Sequence, residues 1–206
     1  MLIVIIGPDG SGKTTIAKKL KLNFNETGFK VDLFSMNFQI LPKLRDLINP
    51  FLKKKIINTN VEGQLHIGMK NKPNSRFRGM FIATWYALDF LLGKIKLSLF
   101  IRKFHIIIFA RYFYDYYFQR GHLNTPKWYL NILQVLVPVP DFIFTIKRNP
   151  AYIYSEKPEL TIIEIERQQN IIDLLLSDKE NAFIIDGNKG VEDTMDQIMK
   201  IINTKW

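Results

Sequence analysis

The sequence predicts an α/β fold, a three-layer sandwich in which a five-stranded parallel sheet is flanked by helices. Apolar, β-rich runs alternate with helical patterns along the chain, which is typical of parallel strands joined by right-handed crossovers. The first run, residues 2–6, is apolar at every position, as a strand buried on both faces requires. A glycine-rich stretch follows it directly and opens a helix. No Pro/Gly/Ser-rich linker divides the 206 residues, so we expect one domain spanning 1–206.

The first half of the chain contains two of the predicted strands and two long helical patterns. After strand 2–6, a helix over 14–27 has its apolar residues on one face and ends at Gly28. Residues 31–36 form the second strand. The chain is then less regular, with a helix predicted over 41–54 and a loop over 58–74, before a long apolar helix over 77–100.

The second half of the chain repeats the alternation. Its strands are predicted at 104–109, 141–146 and 182–185, because these short apolar runs are bounded by turn residues. Its helices follow apolar residues at helical spacing and are predicted at 112–119, 127–136, 160–177 and 191–202, with a turn around 121–126. In such a sheet, ligands gather at the carboxyl ends of the strands.

Residues 7–14, GPDGSGKT, follow the first strand and have the pattern of a phosphate-binding loop (P-loop) in its usual strand–loop–helix context. Glycines let successive backbone N–H groups curl around phosphate oxygens, and the next helix points its positive end at the same anion. Lys13 would reach the β- and γ-phosphates, and the Thr14 hydroxyl would hold Mg²⁺. We therefore expect ATP and Mg²⁺ as cofactors, with nucleotide contacts from Gly7, Asp9, Gly10, Ser11, Gly12, Lys13, Thr14 and Thr15.

Asp9 is an unusual residue for such a loop. A carboxylate beside bound phosphates is unfavourable unless magnesium, Lys13 or a substrate hydroxyl compensates. We therefore expect Asp9 to take part in the chemistry; the alternative is a turn-forming Asp that bonds nearby backbone.

Basic residues follow the third and fourth strands. Arg111 would face the crevice, where its planar fork suits a phosphate. Residues 148–160 include Arg148, Glu156 and Lys157, and they would form a small lid that brings positive charge to the transferring phosphoryl group. Residues 186–189, after the last strand, are placed to flank a base.

These features together resemble thymidylate kinase and its relatives, members of the nucleoside monophosphate kinase superfamily. The resemblance is carried by the P-loop with Asp9, Arg111-Tyr112 with Asp115, Pro140-Asp141, and 157–159 (Lys-Pro-Glu) before a helix containing Glu164, Arg167 and Gln168. It implies an ATP-dependent phosphotransferase that acts on a nucleoside monophosphate. It also implies that Arg111, Tyr112, Asp115 and Arg78 (or Arg76) bind the acceptor, that Lys13, Asp9, Arg111 and Lys157 act in catalysis, and that Arg148 contacts the nucleotide.

The chain departs from the family pattern at three places, one of which is Lys147-Arg148, where relatives usually have an acidic or small residue. The central strand of relatives typically ends in Asp-Arg, whereas this chain has Ala110-Arg111. The lid carries Glu156 where a relative often has arginine, which leaves Lys157 and Arg148 as its cations. Two alternatives therefore stay open: a kinase for a sugar or glycolipid in surface-polysaccharide biosynthesis, and a degenerate ATP-binding regulatory protein without transfer.

The composition of the chain limits which metals, nucleic acids and lipids it is expected to bind. The chain has no cysteine, which excludes disulfides and thiolate metal sites, and its three histidines have no zinc-binding spacing. The net charge of +10 comes without a nucleic-acid-binding motif, so we expect no nucleic-acid partner. Residues 94–103 interleave cations with large apolar residues, which favours weak peripheral attraction to anionic lipid.

The sequence also predicts a cellular location and an oligomeric state. Met1 leads directly into a core strand, leaving no room for a cleaved signal sequence. The apolar stretches 79–93 and 97–110 are too short or too charged to span a membrane. We therefore expect a cytoplasmic protein, and the family relation suggests a homodimer built on the helix over 77–100.

Overall fold

The computed structural model describes residues 1–42, 44, 73–100 and 105–206, with the side chains of 97, 99 and 100 excepted. The predicted helix over 41–54 and loop over 58–74 lie outside these residues except at their ends. The described strands are β1 (Leu2–Ile6), β2 (Lys30–Phe34), β3 (His105–Phe109), β4 (Phe142–Lys147) and β5 (Ala182–Asp186). The described α-helices are α1 (Lys13–Glu26), α2 (Arg76–Phe100), α3 (Asp115–Phe118), α4 (Lys127–Gln134), α5 (Pro150–Glu156), α6 (Ile162–Leu176) and α7 (Val191–Lys205), with a 3₁₀ turn at Arg120–His122.

The strands form one parallel sheet in the order β2-β3-β1-β4-β5. Strand β1 pairs with β3 through Leu2–Ile107 and with β4 through Ile3–Phe142, so the P-loop leaves the middle of the sheet. This is the place where the strand order reverses, and in open parallel sheets it is where ligands bind. The predicted five-stranded α/β fold is thereby confirmed.

Alternation along β1 divides the core between the two faces of the sheet. Val4 and Ile6 pack with side chains of α2, α3, α4 and α6, whereas Ile3 and Ile5 pack with side chains of α1 and α7. Because both faces are covered, all five positions of β1 are buried and apolar. The P-loop therefore follows a strand that is covered by helices on both faces of the sheet.

The boundaries of several elements differ from those the sequence predicts. The expected helix over 112–119 contains helical residues only at Asp115–Phe118, and the predicted turn near 121 contains a 3₁₀ turn. Helix α5 was not predicted, although Asn149 caps it by accepting from the Ala151 N–H at 2.9 Å and Pro150 occupies its first turn. Asn before Pro is a helix-start signal that apolar periodicity alone does not reveal.

In the part of the chain that the structure describes, no helix combines the length and apolar character needed to cross a membrane.

Candidate functional site

A crevice of about 550 Å³ lies at the carboxyl edge of the sheet. Its floor is the P-loop and the first turns of α1, and the ends of β3 and β4 contribute Arg111, Ile146 and Arg148. The start of α7 and the turn before it supply one wall, and α5 with the residue after it supplies another. The lining residues of these two walls are Gly187, Gly190, Val191, Thr194, Glu156 and Lys157.

The P-loop backbone has the conformation that only glycine adopts easily. Gly10 and Gly12 have φ angles of 91° and 93°, in the left-handed region. A Cβ on Gly10 would lie 2.9 Å from Cγ2 of Ile153 in α5, whereas a Cβ on Gly12 would have no neighbour within 4 Å. The loop therefore packs against α5 at Gly10 and leaves open space at Gly12, where α1 begins.

Lys13 is the first residue of α1 and is almost fully buried, with 5% of its surface exposed. Its Nζ donates to the Pro8 carbonyl oxygen at 2.7 Å and lies 3.5 Å from Oδ1 of Asp9. Burial lowers the pKa of Lys13, and the nearby carboxylates of Asp9 and Asp115 partly oppose this shift. The ammonium group is thus held at the loop by one carbonyl and one carboxylate.

Arg111 lies opposite Lys13 and contacts the same carboxylate. Its Nη2 donates to Oδ1 of Asp9, and its Nη1 lies 3.7 Å from Oδ2 of Asp115. The side chain is 32% exposed and lines the crevice. Two cations and two carboxylates therefore alternate here, and Asp9 lies between Lys13 and Arg111.

Asp115 is the buried member of this group. It has no exposed surface, and its Oδ2 accepts from Nε2 of Gln119 at 2.7 Å. Its Oδ1 has no hydrogen-bond partner among the described residues. Burial raises the pKa of Asp115 to about 7, although Lys13 and Arg111 act to lower it. Asp115 was predicted to bind the acceptor; the structure instead places it beneath Arg111 and not among the crevice-lining residues.

The predicted lid residues 148–160 comprise α5 and the turn after it. Nη1 and Nη2 of Arg148 each donate to one carboxylate oxygen of Glu156, both at 2.8 Å. This pair raises the pKa of Arg148 and lowers that of Glu156. Nζ of Lys157 lies 3.2 Å from Oε2 of Glu159. Both predicted lid cations therefore line the crevice but have carboxylate partners.

Two predicted acceptor-binding residues lie away from the crevice. Tyr112 is 1% exposed, packs on Phe90 and Phe109, and donates its hydroxyl to the Pro138 carbonyl oxygen at 2.6 Å. Its ring belongs to the core, and acceptor binding by Tyr112 stays a prediction. Arg78 is exposed on α2, a helix that contributes no residue to the crevice lining.

Several lining residues were missed by sequence reasoning. Gly190, Val191 and Thr194 form the start of α7, and Ile146 is the residue before the end of β4. Their positions follow from the pairing of β5 with β4, which brings the turn after β5 beside the P-loop. The carboxyl-end rule could have found Gly190 and Val191, whereas the Glu156 partner of Arg148 has no local sequence signal.

The residues present fit a nucleotide polyphosphate. The P-loop offers open space at Gly12, a helix N-terminus and the ammonium group of Lys13, and Oγ of Ser11 is buried without a partner among the described residues. For magnesium, the fit is limited to Thr14 at the start of α1 and the carboxylate of Asp9, both in the crevice lining. Within the described ranges, no three His, Asp or Glu side chains cluster as a metal site. Such an ion would therefore depend on phosphate oxygens for most of its ligands.

Comparison with known proteins places this geometry in a fold family. No protein-family model matches the chain, and no curated protein matches it in sequence. Among solved structures, the chain is similar to thymidylate kinase from Candida albicans, with a TM-score of 0.65 and 18% identity over 98% of this chain and 91% of the other. That structure is described as revealing the origin of broad substrate specificity and a novel structural element. The likeness confirms a thymidylate kinase-like fold, as the sequence resemblance implied.

Proposed function

We propose that the chain is an ATP- and Mg²⁺-dependent phosphotransferase that passes a phosphoryl group to a small acceptor, a nucleoside monophosphate in the first instance. The observation that carries the proposal is the pairing of Lys13 and Arg111 with the same Asp9 carboxylate at the P-loop. Lys13 comes from the donor side of the crevice and Arg111 from the end of β3. Two cations that meet at one oxygen define a place where donor and acceptor phosphates can approach each other.

The proposed roles follow from these positions. Backbone N–H groups of the P-loop and the first turn of α1 bind the donor phosphates, with Lys13 reaching the β- and γ-phosphates. Arg111 orients the acceptor phosphate through its planar fork. Thr14 and Asp9 would hold magnesium, which supplies neutralisation of charge on the phosphates.

Asp9 links the two ends of the site. Phosphate oxygens would take over the hydrogen bonds that Lys13 and Arg111 now donate to Asp9. The freed carboxylate could then accept from an acceptor hydroxyl or from water on the ion. Phosphoryl transfer needs no protein nucleophile, because positioning and charge neutralisation suffice.

The acceptor class has an alternative. The aromatic residues that follow β3, Tyr112 to Tyr117, are buried, and none of them lines the crevice. Discrimination by base stacking on them is therefore unsupported, and a sugar or glycolipid acceptor stays open.

A second candidate function is nucleotide binding without transfer. It is favoured by Ala110, which is buried at the end of β3 and offers no carboxylate beside Arg111. In this case ATP binding would be a regulatory or structural signal.

An acceptor screen separates these candidates. ADP release from Mg-ATP would be measured with nucleoside monophosphates, sugars and glycolipid acceptors. We expect release with one acceptor class, a loss of about 10²–10³-fold in Lys13→Ala, and no loss in Lys18→Ala, which alters an exposed residue of α1. If ATP binds but no acceptor leads to ADP release, the kinase proposal is contradicted and nucleotide binding without transfer is favoured.

A second variant tests the division of labour. Arg111→Ala should reduce turnover and raise the acceptor KM while leaving the dissociation constant of ATP within about threefold. Equal losses in ATP binding and in the acceptor step would contradict the role given to Arg111.

A further inference from the structure

Arg111 has two carboxylate partners, and they differ in how accessible they are to a ligand. Asp9 belongs to the P-loop, lines the crevice and is 28% exposed. Asp115 has no exposed surface and is not among the residues that line the crevice. Bound phosphates would compete with Asp9 for the guanidinium group but would not reach Asp115. Asp115 is therefore the partner that can stay with Arg111 when the crevice is filled.

Hydrogen bonds fix the place of Asp115 from both sides of the chain. Its backbone N–H donates to the Tyr112 carbonyl oxygen at 3.0 Å, and its carbonyl oxygen accepts from the Gln119 N–H at 3.0 Å. The side chain of Gln119 also donates, through Nε2, to Oδ2 of Asp115 at 2.7 Å. All four residues of α3 are buried. The carboxylate is thus held in one position next to the guanidinium group.

The second oxygen of this carboxylate lacks a donor. Oδ1 of Asp115 is buried without a hydrogen-bond partner among the described residues, and Oδ2 lies 3.7 Å from Nη1 of Arg111. A buried charged acceptor without a donor is unfavourable. Nη2 of Arg111 is used by Asp9, whereas Nη1 faces Asp115. When phosphate oxygens replace Asp9 at Nη2, Nη1 can still donate to the buried carboxylate.

Other charged groups nearby are less able to do the same. Lys13 also stabilises the Asp115 carboxylate by its charge, but its Nζ donates to the Pro8 carbonyl oxygen at 2.7 Å and lies 3.5 Å from Asp9. Between residues 110 and 120, Asp115 is the one acidic residue in the sequence. Arg111 and Asp115 are therefore the matched pair of this segment.

We propose that Asp115, held by Gln119, is a positioning residue that fixes the guanidinium group of Arg111 for an acceptor phosphate. Asp115 does not touch the acceptor; it holds Nη1 on the buried side, so that Nη2 faces the crevice. A planar fork held in one orientation matches the oxygens of an anion, so the site takes an acceptor that already carries a phosphate. The inference rests on the proposed function, because it assumes that Arg111 binds the acceptor.

Charge and positioning predict opposite effects for Asp115→Asn. Removal of a negative charge beside Arg111 would, by Coulomb attraction alone, tighten the binding of an acceptor phosphate. Loss of the anchor would instead let the guanidinium group turn, and ordering it again costs binding free energy. The sign of the change in acceptor KM therefore distinguishes a positioning role from a purely electrostatic one.

Steady-state kinetics at about pH 8 test the proposal, because burial raises the pKa of Asp115 to about 7 and the carboxyl is then mostly ionised. With an acceptor that supports ADP release in the wild type, Asp115→Asn should raise the acceptor KM and lower kcat/KM at least about fivefold. The dissociation constant of ATP should stay within about threefold. In an Arg111→Ala background, Asp115→Asn should change the residual kcat/KM by less than about twofold, because Asp115 acts through Arg111.

Two further variants keep the test specific. Asp89→Asn alters another carboxylate without exposed surface, which accepts from the backbone N–H groups of Ile40 and Leu41 and lies outside the crevice. It should leave the acceptor KM within about twofold of the wild type. Gln119→Met removes the donor to Oδ2 of Asp115 and should raise the acceptor KM roughly two- to fivefold. If thermal unfolding shows that Asp115→Asn does not fold, Gln119→Met decides the question.

The outcomes separate this inference from the proposed function. If the wild type transfers phosphate and Asp115→Asn has an unchanged or lower acceptor KM, the positioning role is overturned and the proposed function stands. The role is also overturned if Asp115→Asn loses as much activity in the Arg111→Ala background as in the wild type, or if Asp89→Asn raises the acceptor KM equally. If the wild type releases no ADP with any acceptor, the proposed function fails, and the inference that rests on it fails too.

Discussion

Asp115→Asn should change how the stability of the protein depends on pH. Asp115 has no exposed surface, and burial raises its pKa from 3.8 to about 7. Between these two values the folded chain keeps the proton that the unfolded chain has lost. The free energy of unfolding contributed by this group therefore falls as pH rises from about 4 to about 7 and is constant above that range.

The size of the effect follows from the shift. Across the two pH units from about pH 5 to about pH 7, the contribution of Asp115 to the free energy of unfolding falls by about 3 kcal/mol. Asparagine has nearly the same shape and does not titrate. The stability of Asp115→Asn relative to the wild type should therefore increase by about 3 kcal/mol between about pH 5 and about pH 8.

Urea unfolding of both proteins at about pH 5 and about pH 8 measures this difference. Asp178→Asn, a surface substitution outside the crevice, controls for the loss of one carboxylate. If the difference between Asp115→Asn and the wild type is the same at both pH values, Lys13 and Arg111 stabilise the carboxylate as well as water does. The burial reasoning would then be refuted.

Three further variants test single contacts. The rings of His122 and Tyr116 are in tilted contact with centroids 4.3 Å apart, and burial lowers the pKa of His122 to about 4. The stability that neutral His122 contributes is therefore lost as pH falls from about 6.5 towards 4. His122→Phe should remove about 2 kcal/mol of the change in unfolding free energy between about pH 7 and about pH 5, measured by urea unfolding, and an unchanged pH dependence would contradict this. Gly187→Ala should destabilise by about 1–3 kcal/mol, because the new Cβ would lie 2.7 Å from Cγ of Arg148, and equal urea midpoints would disprove the clash. Glu156→Gln removes a negative charge from the crevice wall and breaks the ion pair that Glu156 forms with the guanidinium group of Arg148. The dissociation constant of ATP, measured by calorimetry, should therefore fall roughly two- to fivefold. Weaker ATP binding would mean that Glu156 positions Arg148 for the nucleotide.

The sheet and the P-loop could be predicted because their signals are local. Strand β1 is apolar at all five positions, and the glycines that follow allow a backbone that other residues disfavour. Helix α1 begins at Lys13, next to the predicted start at 14. Such features depend on residues that are neighbours in the sequence, so they can be predicted from one amino-acid sequence.

The contacts around Arg111 were only partly predictable. The carboxyl-end rule placed Arg111 at the crevice, where the structure has it. The rule does not say which way the following residues point. Tyr112 and Asp115 turn inward because the chain forms a tight turn into α3, with the Asp115 N–H donating to the Tyr112 carbonyl oxygen at 3.0 Å.

The charge of the lid could not be predicted from its composition. Arg148 and Lys157 were expected as cations facing phosphate, but α5 brings Glu156 back to Arg148 eight residues later. That pairing depends on the length of a helix whose start signal, Asn149-Pro150, was not recognised. Lid closure over a nucleotide stays a prediction.

Calorimetric titration of the wild type and of Lys13→Ala with Mg-ATP tests the central claim most directly. The wild type should bind one equivalent of ATP, and Lys13→Ala should bind at least about tenfold more weakly, because the ammonium group that lies at the P-loop would contact the phosphates. Lys18→Ala should match the wild type. Equal affinity in wild type and Lys13→Ala, or no binding by the wild type, would contradict a nucleotide-phosphate site in this crevice.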